Sequence, residues 1–313
     1  ARLRSLFSTM KRENWTEQMI AAAVDEYVSG LHLRDDFYYK RNMPSKGIKI
    51  GDPKQDKIDT EKEKMQKLLA AVGEYSRFEN KMALRGRYDY DDMIIWVLRA
   101  FRDNEDILRR YQERYQHILV DEFQDTSGSQ NELLKFIISY WETPNVFVVG
   151  DDDQSIFRFQ GANMKNILDF AGDYVHTLKT IVLKENYRSN QHILDISRLL
   201  IDNNRERLTS QLQLDKNLRA ANPRFSLTAV EPAIREYANP EQELVHVAQQ
   251  IEELTVNGVP AAEIAVIYHN HNQAEDLLQY LDSKGNAVNT RRKIDILTEP
   301  FGEKIISLLR YLA

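Results

Sequence analysis

A short apolar run that ends in two adjacent carboxylates constrains the fold of this chain more than any other feature. Ile118, Leu119 and Val120 are followed directly by Asp121 and Glu122. Continuous apolar runs are typical of strands buried in parallel sheets, and open α/β sheets place their ligand sites at the carboxyl ends of such strands. The run therefore predicts a buried strand whose end carries two acidic side chains.

A second apolar run, at residues 146–149, also leads into carboxylates, at residues 151–153. Between the two runs, the apolar residues of 131–141 recur at helical spacing. Strand, helix and strand in this order predict a parallel βαβ unit, which brings both acidic strand ends to the same edge of one sheet. A third apolar run, at residues 180–183, leads into polar residues and a further helix.

Alternating patterns of this kind continue along the chain and predict an α/β fold. Helices are expected at residues 17–27, 56–78, 191–203, 241–254, 273–281 and 301–313, and strands at 233–237 and 263–268.

The paired carboxylates suggest a chemical role. Asp121 could hold the Mg²⁺ of a nucleotide, while Glu122 could polarise an attacking water. The alternative is a strand that simply ends in polar residues. The pair alone does not decide between these two interpretations.

Composition narrows the class of protein. A length of 313 residues allows about two domains. The absence of cysteine excludes disulfides and thiolate metal sites and is compatible with a reducing cytoplasm, where we expect the protein. No apolar run approaches the ~20 residues of a membrane span. A net charge of -6 does not indicate nucleic-acid binding by the protein surface as a whole, so any nucleic-acid-binding surface must be a local patch.

Four ordered segments resemble the UvrD/Rep/PcrA group of superfamily 1 DNA helicases. They are the aspartate-rich residues 88–93, Asp-Glu-Phe-Gln-Asp-Thr at 121–126, the segment from Gly-Asp-Asp-Asp-Gln to Gln-Gly-Ala at 150–162, and Glu-Asn-Tyr-Arg-Ser at 185–189. The resemblance is sharp between residues 88 and 189 and looser beyond. It implies an α/β fold of partial RecA-like motor domains with parallel sheets, plus an N-terminal helical insertion. The implied domains are residues 1–84 (insertion, 1B-like), 85–183 (first motor domain, 1A-like) and 184–313 (second motor domain, 2A-like).

The resemblance also implies roles for single residues of the nucleotide site. Asp121 would hold the metal, and Glu122 would be the general base that orients water. Gln154 would sense the γ-phosphate of ATP. Tyr187 would stack on the adenine, and Arg188 would be an arginine finger.

Other motif residues leave alternatives open. Phe157, Arg158 and Phe159 would contact DNA by stacking and charge, although both phenylalanines could instead be core residues. The family usually has Tyr-Arg-Trp-Arg where this chain has Phe-Arg-Phe-Gln, so one positive charge is missing. Gln124 could lie near the γ-phosphate or the DNA-coupling surface, or be an exposed turn residue. The aspartates of segment 88–93 are interpreted first as structural, because carboxylates favour helix N-termini.

A phosphate-binding loop of the Walker A type is missing from the sequence, because none of the 12 glycines is followed by lysine. We therefore expect an internal segment of an ATP-dependent DNA helicase that uses ATP and Mg²⁺ and translocates on single-stranded DNA. Its partners would be single-stranded DNA and duplex junctions, with no membrane. The alternatives are the motor subunit of a helicase–nuclease complex and a non-catalytic DNA- or protein-binding scaffold.

Overall fold

The computed structural model describes residues 2–42, 47–154, 164–204, 207, 212, 214–226, 230–269, 271–285, 288–289 and 300–312. The chain divides into two units, Ala1–Ala229 and Val230–Ala313, and each is described by itself. The division into three domains expected from the sequence stays a prediction.

The first unit combines helices with two short parallel sheets. Its helices are α1 (Arg2–Arg12), α2 (Glu17–Ser29), α3 (Gln55–Val72), α4 (Tyr75–Leu84), α5 (Tyr90–Asp103), α6 (Glu105–Arg114), α7 (Gly128–Ile138), α8 (Met164–Asp173), α9 (Gln191–Ile201) and α10 (Pro223–Ser226). Its strands are β1 (Ile118–Val120), β2 (Val146–Val148), β3 (Glu185–Asn186) and β4 (Arg219–Ala220). The described helices of the second unit are α11 (Pro240–Val256), α12 (His271–Ser283) and α13 (Pro300–Leu312).

The predicted βαβ unit is confirmed. β1 pairs with β2 in parallel, with Ile118 opposite Val146 and Val120 opposite Val148, and α7 connects the two strands. A second parallel pair joins β3 to β4. The architecture is therefore a helix-rich α/β fold with short parallel sheets, as the α/β patterning predicts.

The core beside the first sheet forms because side chains alternate along each strand. The buried residues of this core are Phe123, Leu134, Ile138 and Phe170. Ile118, Val120, Val146 and Val148 pack against them from one face of the sheet. Leu119 and Phe147, which alternate with them, point to the opposite face and are exposed. α7 and α8 thus cover one face of the sheet, and this packing fixes where the ends of both strands lie relative to the two helices.

α1 is fastened to α5 by a buried charge. The Lys11 ammonium lies 2.9 Å from an Asp89 carboxylate oxygen and 2.7 Å from one of Asp92, and the lysine side chain is only 2% exposed. Asp89 is the N-cap of α5 and forms a reciprocal capping box with Asp92. The expectation that these aspartates serve the helix N-terminus is confirmed, and Lys11 adds a tertiary contact to that cap.

Some local predictions are wrong. Residues 56–78 form two helices rather than one, because the chain turns at Gly73 and Glu74 between α3 and α4. Residues 233–237 and 264–268 form no strand, while 261–263 form a short 3-10 turn. A strand exists through its ladder of hydrogen bonds, and these apolar segments pair with no neighbour within the described parts of the chain.

No helix among the described residues is long and apolar enough to cross a lipid bilayer.

We expect Lys11→Met to destabilise the first unit by about 3–5 kcal/mol, since it leaves the buried Asp92 carboxylate and the half-exposed Asp89 carboxylate without their cation. All three tryptophans (residues 15, 96 and 141) lie in this unit, so urea unfolding followed by tryptophan fluorescence reports on it.

The matched control is Lys64→Met on α3. Lys64 pairs with Glu61 at 2.6 Å, but its side chain is 59% exposed. Exposed pairs contribute only about 0–1 kcal/mol. Equal losses in the two variants would contradict a special role for the Lys11 contact.

Candidate functional site

The two acidic strand ends lie side by side, as the parallel pairing requires. Backbone pairing continues past the strands: the Val149 amide donates to the Val120 carbonyl at 2.8 Å, and the Phe123 amide donates to the Val149 carbonyl at 2.9 Å. These bonds join the turn after β1 to the turn after β2. Asp121 and Asp151 therefore belong to adjacent turns at the carboxyl edge of one sheet.

Glu122 has an unusual backbone conformation. Its φ of 48° and ψ of 45° place it in the left-handed region, which a non-glycine residue adopts only at a cost in free energy. Its amide donates to the Asp121 carboxylate at 3.0 Å, which supports the turn locally. Strained backbone of this kind is concentrated at functional sites. The turn redirects the chain immediately after β1 and leaves both carboxylates exposed.

A pocket of about 400 Å³ opens beside this turn. Its polar lining comes from Asp121, Glu122, Asp125, Gln130 and Asn131, and its apolar wall from Val120, Phe123 and Leu134. Carboxylate oxygens are hard ligands of the kind that Mg²⁺ prefers. The donor set of the pocket, which includes the exposed Asp121 carboxylate, thus fits a hydrated divalent cation and the polar groups of a nucleotide.

Gln124 links the two turns. Its side chain is 1% exposed. The amide nitrogen donates to a Glu122 carboxylate oxygen at 2.8 Å, and the amide oxygen accepts from the backbone N–H of Asp151 at 3.0 Å. The interpretation of Gln124 as an exposed turn residue is therefore wrong. A buried amide with both ends satisfied holds the Glu122 carboxylate to the acidic turn after β2.

Gly150 makes this link sterically possible. A Cβ atom at this position would lie 2.8 Å from the Gln124 amide oxygen and 3.3 Å from the Gln124 backbone nitrogen. Both distances are shorter than ordinary van der Waals contacts. Glycine is thus required here by the close approach of Gln124.

The turn after β2 carries three carboxylates that pair with two cations. Lys216 contacts Asp151 and lies 2.8 Å from an oxygen of Asp152 and 2.9 Å from one of Asp153. Arg207 donates two hydrogen bonds to Asp153, at 2.8 and 2.9 Å. Sequence reasoning missed both cations, because no local pattern relates them to an acidic turn more than fifty residues earlier.

Titration behaviour at this turn follows from the contacts. Burial alone would lower the pKa of the Lys216 ammonium, but its hydrogen bonds to the three carboxylates outweigh that effect and raise the pKa above its ordinary value. Burial acts to raise the pKa of Asp151, and hydrogen bonds from Lys216 and Gln154 overcome it, so this pKa lies below its ordinary value. Lys216 and Asp151 are therefore both charged near neutral pH.

The remaining predicted site residues lie in three places. Gln154 is exposed at the end of the acidic turn, where its amide donates to Asp151 at 2.7 Å. Tyr187 and Arg188 directly follow β3 and are exposed; the Tyr187 hydroxyl donates to Glu185 at 2.7 Å. The segment Phe157, Arg158 and Phe159 lies outside the described residues. The structure thus brings Asp121, Glu122 and Gln154 to one sheet edge, while the roles of all these residues stay predictions.

We expect Gly150→Ala to destabilise the first unit by about 1–3 kcal/mol through overpacking against Gln124. The control is Gly172→Ala in α8, where an added Cβ meets nothing within 4 Å. There the change should be neutral or stabilising by up to about 1 kcal/mol, since alanine favours helix over glycine. Thermal unfolding of both variants is the measurement, and a neutral result for Gly150→Ala would show that Gln124 is not tightly packed.

Comparison with known proteins identifies relatives along the whole chain. Residues 3–175 match the UvrD/REP helicase N-terminal domain, and residues 181–313 match the UvrD-like helicase C-terminal domain.

Individual relatives carry consistent names. DNA helicase II of Haemophilus influenzae is 33% identical over 237 residues, which is 76% of this chain and 30% of that protein. ATP-dependent DNA helicase PcrA of Staphylococcus aureus is 34% identical over 203 residues, 65% of this chain and 26% of that protein. PcrA of Leuconostoc citreum is 38% identical over 147 residues, 47% of this chain and 19% of that protein. The chain spans less than a third of the length of each of these relatives. Together with the sequence motifs and the sheet edge described above, the matches show that this chain belongs to the UvrD/REP helicase family.

Proposed function

We propose that this chain is part of an ATP-dependent DNA helicase that translocates on single-stranded DNA and uses Mg²⁺·ATP. The observation that carries the proposal is the sheet edge itself. There Asp121 and Glu122 line an open pocket, and the buried Gln124 ties Glu122 to the neighbouring turn. Hydrolysis of a phosphoanhydride needs this kind of preorganised acidic site, since catalysis is mostly positioning and electrostatics.

In this proposal the two adjacent carboxylates have different tasks. Asp121 would hold Mg²⁺, which neutralises negative charge on the phosphates. Glu122 would accept a hydrogen bond from the attacking water and orient it. The Gln124 amide donates to Glu122 at 2.8 Å and would restrain the carboxylate for its role as a base.

The other residues would complete the site. Gln154 would exchange its hydrogen bond to Asp151 for one to the γ-phosphate, and its neutral amide can follow the phosphate without adding charge. Arg188 would stabilise charge in the transition state, for which its exposed guanidinium is available. The exposed ring of Tyr187 would stack on adenine. The three-domain arrangement, including the helical insertion at residues 1–84, belongs to the same proposal.

DNA contact is assigned in this proposal to Phe157, Arg158 and Phe159, with single-stranded DNA and duplex junctions as partners. The segment follows Gln154 directly, so closure around ATP can be transmitted to it. Aromatic rings stack on any base, which suits a motor that moves along DNA regardless of sequence. A cytoplasmic location also stays a prediction. The helicase–nuclease and scaffold alternatives gain no support from the family matches.

In the full-length protein, Glu122→Gln should lower kcat for DNA-stimulated ATP hydrolysis by about 10²–10⁴-fold, because it removes the base but keeps the shape and the Gln124 contact. The KM for ATP should change little. Asp121→Asn should instead raise the requirement for Mg²⁺ and weaken nucleotide binding, because it removes a charged ligand. Steady-state ATPase assays with Mg²⁺ titration separate the two effects.

Glu113→Gln on α6, an exposed carboxylate away from the sheet edge, is the matched control and should leave both parameters unchanged. If Glu122→Gln kept near-normal turnover, the acidic strand end would not be the catalytic site.

For DNA contact, Phe159→Ala should weaken binding to single-stranded oligonucleotides by about 1–3 kcal/mol without altering stability. Fluorescence anisotropy at several salt concentrations measures this change, alongside thermal unfolding. Unchanged affinity with a clearly lowered Tm would instead assign Phe159 to the core.

A further inference from the structure

The acidic turn after β2 is held by cations from a distant part of the chain. Lys216 approaches all three carboxylates of Asp151, Asp152 and Asp153, and its side chain is 17% exposed. Arg207 forms a bidentate salt bridge with Asp153, and its side chain is 11% exposed. Bidentate, charge-assisted contacts of this kind are stronger and more directional than ordinary surface pairs. The cluster is therefore a specific tertiary contact between distant segments of the chain, unlike an isolated ion pair on the surface.

On one side, the contact between Lys216 and Asp151 is connected to Glu122 through hydrogen bonds. Asp151 receives Lys216 through its carboxylate, while its backbone N–H donates to Gln124 at 3.0 Å. Gln124 in turn donates to Glu122 at 2.8 Å. Because Gln124 is buried and packs closely against Gly150, its two hydrogen bonds connect the position of Asp151 to that of Glu122.

On the other side, Lys216 is connected to Arg188 through the β3–β4 pair. Lys216 lies just before β4, whose Arg219 amide donates to the Lys184 carbonyl at 2.8 Å. The neighbouring Asp215 pairs with the Lys184 ammonium at 2.5 Å. β4 pairs with β3. The side-chain oxygen of Asn186 in β3 accepts a hydrogen bond from the backbone N–H of Arg188 at 2.9 Å. The backbone of Arg188 is thus tied to the strand pair that Lys216 anchors.

We propose that Lys216 is a positioning residue that sets the distance between Glu122 and Arg188 by clamping the β3–β4 pair onto the Asp151–Asp153 turn. This proposal rests on the proposed function for the reaction that it serves. Lys216 touches no substrate in it. Arg207 reinforces the same clamp at Asp153. A general base and an arginine finger that lie on separate sheets need a contact that fixes their separation, since small misplacements of catalytic groups lower the rate strongly.

The first test uses the 313-residue chain and hydrogen–deuterium exchange by mass spectrometry. Lys216→Gln should speed exchange in peptides covering residues 121–126, 149–154 and 184–189, while those of α1 and α5 stay at wild-type rates. Lys216→Arg, which keeps the charge, should exchange as wild type does. Lys135→Gln is the matched control, because Lys135 forms an exposed pair with Asp173 at 3.0 Å and should change only its own surroundings.

The second test uses the full-length protein and DNA-stimulated ATPase kinetics. Lys216→Gln should lower kcat by about 10- to 100-fold with little change in the KM for ATP, as expected for misplacement of catalytic groups. Lys216→Arg should restore most of the rate. A uniform rise in exchange across the first unit, or a loss of rate that Lys216→Arg does not rescue, would overturn the positioning role.

The two arms separate this inference from the proposed function. If the wild-type protein hydrolysed no ATP, the proposed function would fail, yet the exchange experiment would still decide whether Lys216 couples the two segments. If ATP were hydrolysed normally and Lys216→Gln left exchange unchanged in both segments, the inference alone would fail.

Discussion

The parallel pairing of β1 with β2 is the constraint on which the rest of the site depends. Parallel strands end at the same edge, so the turns that follow them must share that edge. Two backbone hydrogen bonds beyond the strands then lock Val149 between Val120 and Phe123. These turns bring the strained Glu122, the buried Gln124 and Gly150 into contact with one another.

Among the described residues of the first unit, two lysines with little exposed side chain each contact more than one carboxylate. Lys11 binds Asp89 and Asp92 at the start of α5, and Lys216 binds the acidic turn. At Lys11 burial alone would lower the pKa, but hydrogen bonds to the aspartates raise it above its ordinary value, as at Lys216. Desolvating a lysine is costly unless several acceptors surround it, which explains why each lysine has more than one carboxylate partner. In both places the charge ties elements far apart in sequence.

Membership of the UvrD/REP helicase family and the local geometry agree with each other. The family matches rest on sequence along residues 3–175 and 181–313, whereas the geometry rests on pairing, burial and hydrogen bonds. The geometry adds what family membership alone does not give: a specific partner for Glu122, a steric reason for Gly150, and a cationic clamp on the acidic turn. These features make the proposed roles of single residues testable one at a time.

The sequence by itself determined the βαβ unit, the two acidic strand ends and most helices, because apolar periodicity and capping residues act over a few neighbouring positions. It could not determine that Gln124 is buried, that Lys216 and Arg207 reach the acidic turn, or that residues 233–237 and 264–268 find no strand partner among the described residues. Those outcomes depend on contacts between segments far apart in the chain, and no local pattern encodes which distant group will arrive. The acidic chemistry of the site was therefore readable from neighbouring residues, whereas the means of holding it in place was decided only by tertiary structure.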